Sequence, residues 1–483
     1  MTSVQDAFTR VEPHDGLSGF RLEFYDALAA RADGLFELVD AMLCADGAVK
    51  SLVELSLVPE HRRGHGSLYD AVNNGSVDFA RVRVALGALP VPRAADGRIV
   101  LAVDVSNWLR PDAATSPERL FCHVYGRGRS ADQFIPGWPY SFVAALEAGR
   151  TSWTALLDAV RLGPADDATA VTAAQLREVV ERLITAGHWN EGDPDIWIVA
   201  DSGYDLPRLA FVLDDLPVVV AGRVRSDRVF RFPAVRVHDP RGGRPPKHGL
   251  EFALARPESW PEPAHITATA TDRYGTAIAR TWDRLHPRLT HRTCWLEHHG
   301  KLPIIEGTLI RLEVEHLPGE RDPKPIWLWA SLTGADASTV DRLWQAYLRR
   351  FDLEHTFRFL KQTLGWTRPR LRDPAAAHRW TWLIIAAHTQ LRLARSQATD
   401  LRRPWERPTD PQRLTPARVR RGFRNIRATS ALPACAPKPT IPGPGRPPGS
   451  RNRHPATIQN VGKTIHREKS LGGPPRRKPI QKG

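Results

Sequence analysis

The sequence predicts an α/β fold interrupted by a β-rich insertion. Three observations predict it. Short continuous apolar runs alternate with helical patterns between residues 96 and 228. Residues 229–332 alternate in the manner of antiparallel strands, and helical spacing returns from 333 to 400. A helical N-terminal domain (1–95) and a basic Pro/Gly-rich tail (401–483) flank this core.

Taken in order, residues 17–57 place Phe20, Leu22, Phe24 and Leu28, then Leu35, Leu38, Val39, Met42 and Leu43, at helical spacing. Helical and basic character continue to about residue 89, so the domain either contacts DNA or serves packing or dimerisation. "RIVLAVDVSNWLRP" (98–111) is an apolar run ending around Asp104 and reads as a buried central strand. "LFCHVYGRG" (120–128) reads as a further strand, and helices are expected at roughly 139–162 and 171–187. "DIWIVADSGYD" (195–205) is another buried strand, with Asp201 at its C-terminal end and Gly203 in the turn. "LPRLAFVLDDL" then reads as a short helix and "PVVVAGRV" (217–224) as a strand. In the insertion, "HITATATDRYGTAIARTWDRL" alternates around a Tyr-Gly turn like a hairpin, and "GTLIRLEVEHL" and "PIWLWASL" are strand-like. From 429 onward there is no apolar periodicity, and a largely disordered tail is expected.

Composition narrows the function. At 483 residues the chain holds two to four domains. Its net charge of +15 and pI near 10.1 point to a polyanionic partner, nucleic acid first. Cys44, Cys122, Cys294 and Cys435 lie far apart without a CxxC pair, which fits a reducing cytoplasm better than a zinc or disulfide framework. No apolar run approaches the ~18 residues of a membrane span, and no signal-peptide pattern opens the chain. A soluble cytoplasmic protein is expected.

"AYLRRFDLEHTFRFLKQTLGW" (346–366) reads as one long helix with an unusual polar line. Arg350, Glu354 and Lys361 follow Tyr347 at offsets that, at about 100° per residue, fall within roughly 60° of arc. Trp344, Leu348, Phe351 and Phe359 flank that line on one side; Leu353, Phe357 and Leu360 flank it on the other. A polar stripe between two apolar flanks faces a cleft rather than open water. Asp104, Asp201 and Glu354 therefore group together as acids at two strand ends and on one helix stripe. Buried carboxylates need a cation or a hydrogen-bond network. Three of them in a basic protein favour a hard-metal site of the kind Mg²⁺ takes. Two such ions serve phosphodiester displacement without a protein nucleophile, while Arg350, Lys361 and Tyr347 are suited to phosphate oxygens.

These residues carry a resemblance. Tyr347-x2-Arg350-x3-Glu354-x6-Lys361 resembles the signature helix of DDE transposases from bacterial insertion sequences, the group that excises DNA through hairpin ends. "VDVSNW" is similar to that family's first-Asp strand and "ADSGY" to its second motif, so Asp104, Asp201 and Glu354 correspond to the DDE triad. The resemblance covers roughly 95–396. It implies an RNase H-like core, Mg²⁺ or Mn²⁺ as a pair of ions, and double-stranded DNA (the element's inverted repeats and a target) as partner. It also implies synapsis of two ends by a homodimer. In related enzymes an aromatic residue of the insertion stacks on a flipped base; Trp282 and Trp295 are the candidates here, with Trp295 favoured for its basic surroundings and core packing the alternative for both. "GPGRPPGSRNR" (443–453) resembles an AT-hook, whose Gly445-Arg446-Pro447 core would enter an A·T minor groove. "RGGRPPKHG" (241–249) is similar, or is a basic loop of the insertion. The competing functions are a nuclease of the same fold without strand transfer, and a DNA-binding protein whose catalytic core has decayed.

Overall fold

The computed structural model describes residues 16–124, 133–149, 151–235, 246–290, 295, 298, 300–317, 323–438, 449 and 456–462. The AT-hook-like Gly445, Arg446 and Pro447 and most of 241–249 lie outside these residues.

The chain opens with α1 (Gly16–Asp26), β1 (Leu28–Ala30), α2 (Ala32–Cys44), α3 (Leu52–Leu55), α4 (His65–Asn74), β2 (Ser76–Val77) and α5 (Phe79–Ala88). Then come β3 (Val100–Leu109), β4 (Leu120–Val124), β5 (Gln133–Leu146), β6 (Thr154–Arg161), α6 (Ala168–Thr185), β7 (Ile196–Ala200), α7 (Leu206–Val212) and β8 (Val218–Val224). The insertion supplies β9 (Val229–Arg231), β10 (Glu251–Ala253), β11 (His265–Thr271), β12 (Gly275–Pro287), β13 (Gly307–Val314) and β14 (Ile326–Ala330). Helices α8 (Ala337–Arg349), α9 (Phe351–Gln362), α10 (Pro374–Leu393) and α11 (Pro416–Ala428) complete it.

Among the described residues, β3 to β14 join one mixed sheet in the order β10-β9-β12-β13-β14-β8-β7-β3-β5-β4, with β6 on the outer edge of β5 and β11 on β12. At its centre β3, β7 and β8 run parallel, while β5 is antiparallel to β3 and β6 antiparallel to β5. The insertion is thus an extension of the central sheet, since β14 pairs antiparallel with β8. The Tyr-Gly hairpin is present, with β11 and β12 in register from His265↔Thr281 to Thr271↔Gly275.

Helices cover both faces. Trp197, Val199, Ala102 and Trp108 pack into a core shared with α1, α2, α9, α10 and α11. Leu101, Val103, Ile198 and Ala200 pack on the opposite face against α6 and α7. Alternation along each strand explains the division.

Three local expectations are overturned. Residues 139–162 are β5 and β6, not a helix. Phe142 and Ala144 enter one core while Val143 and Ala145 enter the other, so a strand buried on both faces presents a continuous apolar run that mimics a helix. β3 continues five residues past Asp104, to Leu109, so that acid lies within a strand. Residues 401–428, placed in the tail by their sequence, belong instead to the core: α11 buries Val419, Phe423 and Ile426 against α2 and α10. The residues 16–88 consequently share one core with the C-terminal helices. Buried Arg21 on α1 bonds Asp40 of α2 and Gln390 of α10, and Arg427 of α11 reaches the same Asp40 at 2.7 Å. No helix among the described residues is long and apolar enough to cross a membrane.

Candidate active site

Strand register brings the first two acids together. The parallel ladder of β3 on β7 ends at Val103↔Ala200, and the next residue on each strand is Asp104 and Asp201. Val100 and Ala102 on β3, like Trp197 and Val199 on β7, face the core covered by α9 and α10. Alternation sends Asp104 and Asp201 to that same face. Behind them β8 comes close: a Cβ on Gly222 would lie 2.5 Å from the Ala200 carbonyl, so only glycine permits this approach beside the acid-bearing turn. Asp201 Oδ1 accepts from the Ser202 N–H at 2.7 Å, and Asp205 caps α7 by accepting from Arg208 N–H. Asp104 Oδ1 accepts from Val105 N–H at 2.8 Å.

The long helix of the polar stripe is two helices meeting at Arg350. There the bonds shorten to Arg350 N–H to Tyr347 O and Leu353 N–H to Arg350 O, a tight turn that bends the axis. Asp336 caps the start of α8, and α8 then packs along β7, β8 and the insertion strands. α9 packs on β3, β5 and β6, with Phe357 against Phe142 and Thr356 Oγ1 sharing a 2.9 Å hydrogen bond with Thr154 Oγ1.

Arg350, at the joint, points inward. Its guanidinium donates to Asp104 Oδ2 at 2.6 Å and lies 4.0 Å from Asp201 Oδ1, while Tyr347 sits 5.9 Å beneath it as a ring partner. The Arg350 charge is directed at the two acids. Lys361 is also drawn in, 5.5 Å from the Trp366 ring, and burial lowers its pKa against the pull of Glu354 and Asp104. Tyr347 is buried, which raises its phenol pKa. Glu354 is exposed and has no hydrogen-bond or ion-pair partner among the described residues.

The electrostatics show a site short of positive charge. Burial pushes the Asp104 pKa up to about 7, outweighing Arg350, with Glu354 and Asp201 adding repulsion. Even with the Arg350 guanidinium 2.6 Å away, this carboxylate therefore takes up a proton near neutrality. Below it, Tyr204 of the "ADSGY" turn has its phenol pushed well above the usual range by burial and by Asp104.

The donor set suits a divalent cation in its chemistry: two hard carboxylates on adjoining strands, an accumulated negative potential and a third carboxylate left free nearby. Among the described residues, no group of three or more His, Cys, Asp or Glu is gathered tightly enough to ligate one ion. Arg350 lies between Asp104, to which its guanidinium is bonded, and Asp201, and Glu354 is close enough to raise the Asp104 pKa.

Sequence reasoning missed two cations. Arg223 follows Gly222, the register partner of Ala200, so it stands on β8 beside Asp201; it is exposed and without an ion-pair partner among the described residues. Arg358, one turn beyond Glu354, is likewise exposed and unpaired. Its offset of 11 from Tyr347 puts it on the polar line, which is a signal the sequence did contain. Trp282 and Trp295 are both buried. Trp282 packs on Phe252 and Trp327, and Trp295 lies 5.4 Å from Phe211, so neither presents a free ring face.

Two acids thus stand side by side at the parallel centre of a mixed sheet, with a third on the covering helix. The chain belongs to the DDE superfamily endonuclease family: the model of that family matches residues 23–288, more than half its length, including Asp104 and Asp201 but ending before Glu354. Members of this family in general use divalent metals. No curated protein matches the sequence. Among solved structures, a piggyBac transposase in a synaptic complex with hairpin DNA is similar at a TM-score of 0.40 and 11% identity, over 86% of this chain and 73% of that one. A likeness that weak carries no argument about this chain.

Proposed function

We propose that the chain is a transposase of a bacterial insertion sequence, cleaving the ends of its own element and joining them to target DNA. The observation that carries the reading is the one-residue step from Val103↔Ala200 to Asp104 and Asp201, two carboxylates reached by one guanidinium beside an unpaired Glu354. Asp104, Asp201 and Glu354 are the residues that would hold Mg²⁺ or Mn²⁺, two ions in this reading. When bound, such ions supply activation of the attacking hydroxyl and charge stabilisation at the leaving 3′-oxygen.

The chain's own residues do the rest. Arg350 partly compensates the acids by donating to Asp104, and Tyr347 supports its guanidinium from below. Arg223 and Arg358, on the open side, are suited to the phosphates that flank the scissile bond. Lys361 adds positive potential from its half-buried position behind Glu354. The strand order β6-β5-β3-β7-β8, with three parallel strands at one side, supports an RNase H-like core. Within this reading the N-terminal helices and the AT-hook-like tail add DNA contacts, two copies pair the element's ends, and the protein works in the cytoplasm.

The test starts from the DNA flanking the gene, which supplies the candidate inverted repeats. The purified full-length chain with Mg²⁺ or Mn²⁺ should release those ends and join them to a second DNA. Release without joining would make it a nuclease only; binding without cleavage in either metal would leave a DNA-binding protein.

A further inference from the structure

Of the fifteen tryptophans, fourteen are buried or half-buried and one is not. Trp405 is 76% exposed, on the loop that connects the end of α10 to α11. A single exposed apolar side chain is common on a protein surface, so this ring is distinguished by how it is held and by the charge beside it. Glu406, next to it, accepts from Arg403 N–H at 2.8 Å and from both terminal nitrogens of Arg421 on α11, at 2.7 and 2.9 Å. Those contacts press the Glu406 pKa down to about 2. Arg418 of α11 donates to the Arg407 carbonyl and to Asp400, fastening the other side of the loop. The ring is therefore presented on a braced turn.

Its surroundings are positive. Arg403 lies 5.7 Å over the Trp405 ring, and Arg403, Arg407 and Arg413 have no carboxylate partner among the described residues. On α11, by contrast, Arg418, Arg421, Arg424 and Arg427 are each paired with an acid, and Arg420 is bonded to backbone carbonyls. Of the uncompensated charge, Arg403 lies over the ring and Arg407 is two residues along the same braced loop.

We infer that Trp405 and its free arginines form a stacking platform for an unpaired nucleotide of DNA, the ring taking a base face and the guanidiniums the adjoining phosphates. An apolar face rimmed by unneutralised arginine matches a nucleotide, which offers a π-surface and a negative phosphate together. A protein partner would need acids opposite the arginines and a wider apolar area than one ring and the neighbouring Leu401 provide. The inference rests on the DNA reading of the active site, but the ring belongs to a different element and can be tested separately.

The experiment compares full-length wild type, Trp405→Ala and Trp405→Phe by fluorescence anisotropy on two labelled DNAs, a blunt duplex and the same duplex with a short single-stranded overhang. Trp405→Ala should weaken overhang binding about ten- to a hundredfold while blunt-duplex affinity stays constant, and Trp405→Phe should recover most of the loss. The surface position leaves folding intact, which thermal melting would verify. Equal affinities for wild type and Trp405→Ala on the overhang DNA would overturn the platform while leaving the active-site reading standing. Wild type that binds neither DNA would overturn both. A change of oligomeric state in Trp405→Ala, with DNA binding unaltered, would make the ring a protein contact and reject the inference.

Discussion

The molecule contains two clusters in which arginine meets aspartate, and they are built differently. Around Asp40 the carboxylate is closed: Arg21 is fully buried, both Asp40 oxygens are bonded, Arg427 reaches the same carboxylate, and Gln390 Oε1 accepts from Arg21. Around Asp104 and Asp201 the cluster is open. The side chain of Asp201 is 41% exposed, Glu354 has no partner among the described residues, and the Arg350 Nε has none either. A structural acid is saturated by the fold, whereas these acids retain coordination capacity for something the fold does not supply.

Substitutions should separate the two clusters. Asp201→Asn or Glu354→Gln should cut metal-dependent DNA cleavage by about a thousandfold or more, equivalent to roughly 4 kcal/mol, with melting temperature unchanged. Asp40→Ala should do the reverse, lowering stability by about 3–5 kcal/mol because Arg21 is left buried without its counter-ion. Chemical denaturation of both variants beside a cleavage assay checks the pair; a stability loss from Glu354→Gln would erase the distinction.

Arg350→Ala should fall between them. In chelator it leaves Asp104 without its cation, costing up to about 3 kcal/mol, and millimolar Mn²⁺ should restore part of that stability. Thermal melts with and without Mn²⁺ read this directly, and a loss that Mn²⁺ does not touch would mean that Arg350 is purely structural.

A pH effect follows from Asp104. Its pKa is raised in the folded chain, so the folded state takes up a proton that the unfolded state has already released, and Asp104 makes the protein less stable as pH rises from about 4 to about 7. Metal binding needs the ionised form, so at limiting Mn²⁺ cleavage should climb as pH rises through about 7. In Asp104→Asn, whatever cleavage survives should lack that rise. The smallest expected change is Arg223→Ala. Loss of one exposed phosphate contact should weaken DNA binding by less than about tenfold and reduce its salt dependence. An unchanged salt slope would place Arg223 away from the DNA path.

Much of this site was legible in the sequence because period and position encode it. The apolar runs before Asp104 and Asp201 located the two strands, and the stripe of Tyr347, Arg350, Glu354 and Lys361 located the helical cover. Two things were not legible. Periodicity alone cannot tell a strand buried on both faces from a buried helix, which is why 139–162 was misread. Side-chain pairing depends on which strand lies beside which: sequence spacing put Arg350 near Glu354, whereas register handed it to Asp104 and left Arg223 free. The same limit applies to charge. Sequence spacing does not show that the fold pairs Arg418, Arg421, Arg424 and Arg427 on α11 with Asp400, Glu406, Glu60 and Asp40.

The central claim is that Asp104, Asp201 and Glu354 form one metal-dependent site for cutting DNA. Its most direct test is cleavage of DNA carrying the element's ends, in Mn²⁺ and in chelator, by wild type and by an Asp104→Asn/Asp201→Asn/Glu354→Gln triple variant that binds the DNA with wild-type affinity. Cleavage by wild type in Mn²⁺ alone, and by the triple variant in neither condition, is the predicted result. Cleavage by the triple variant at the wild-type rate would contradict it.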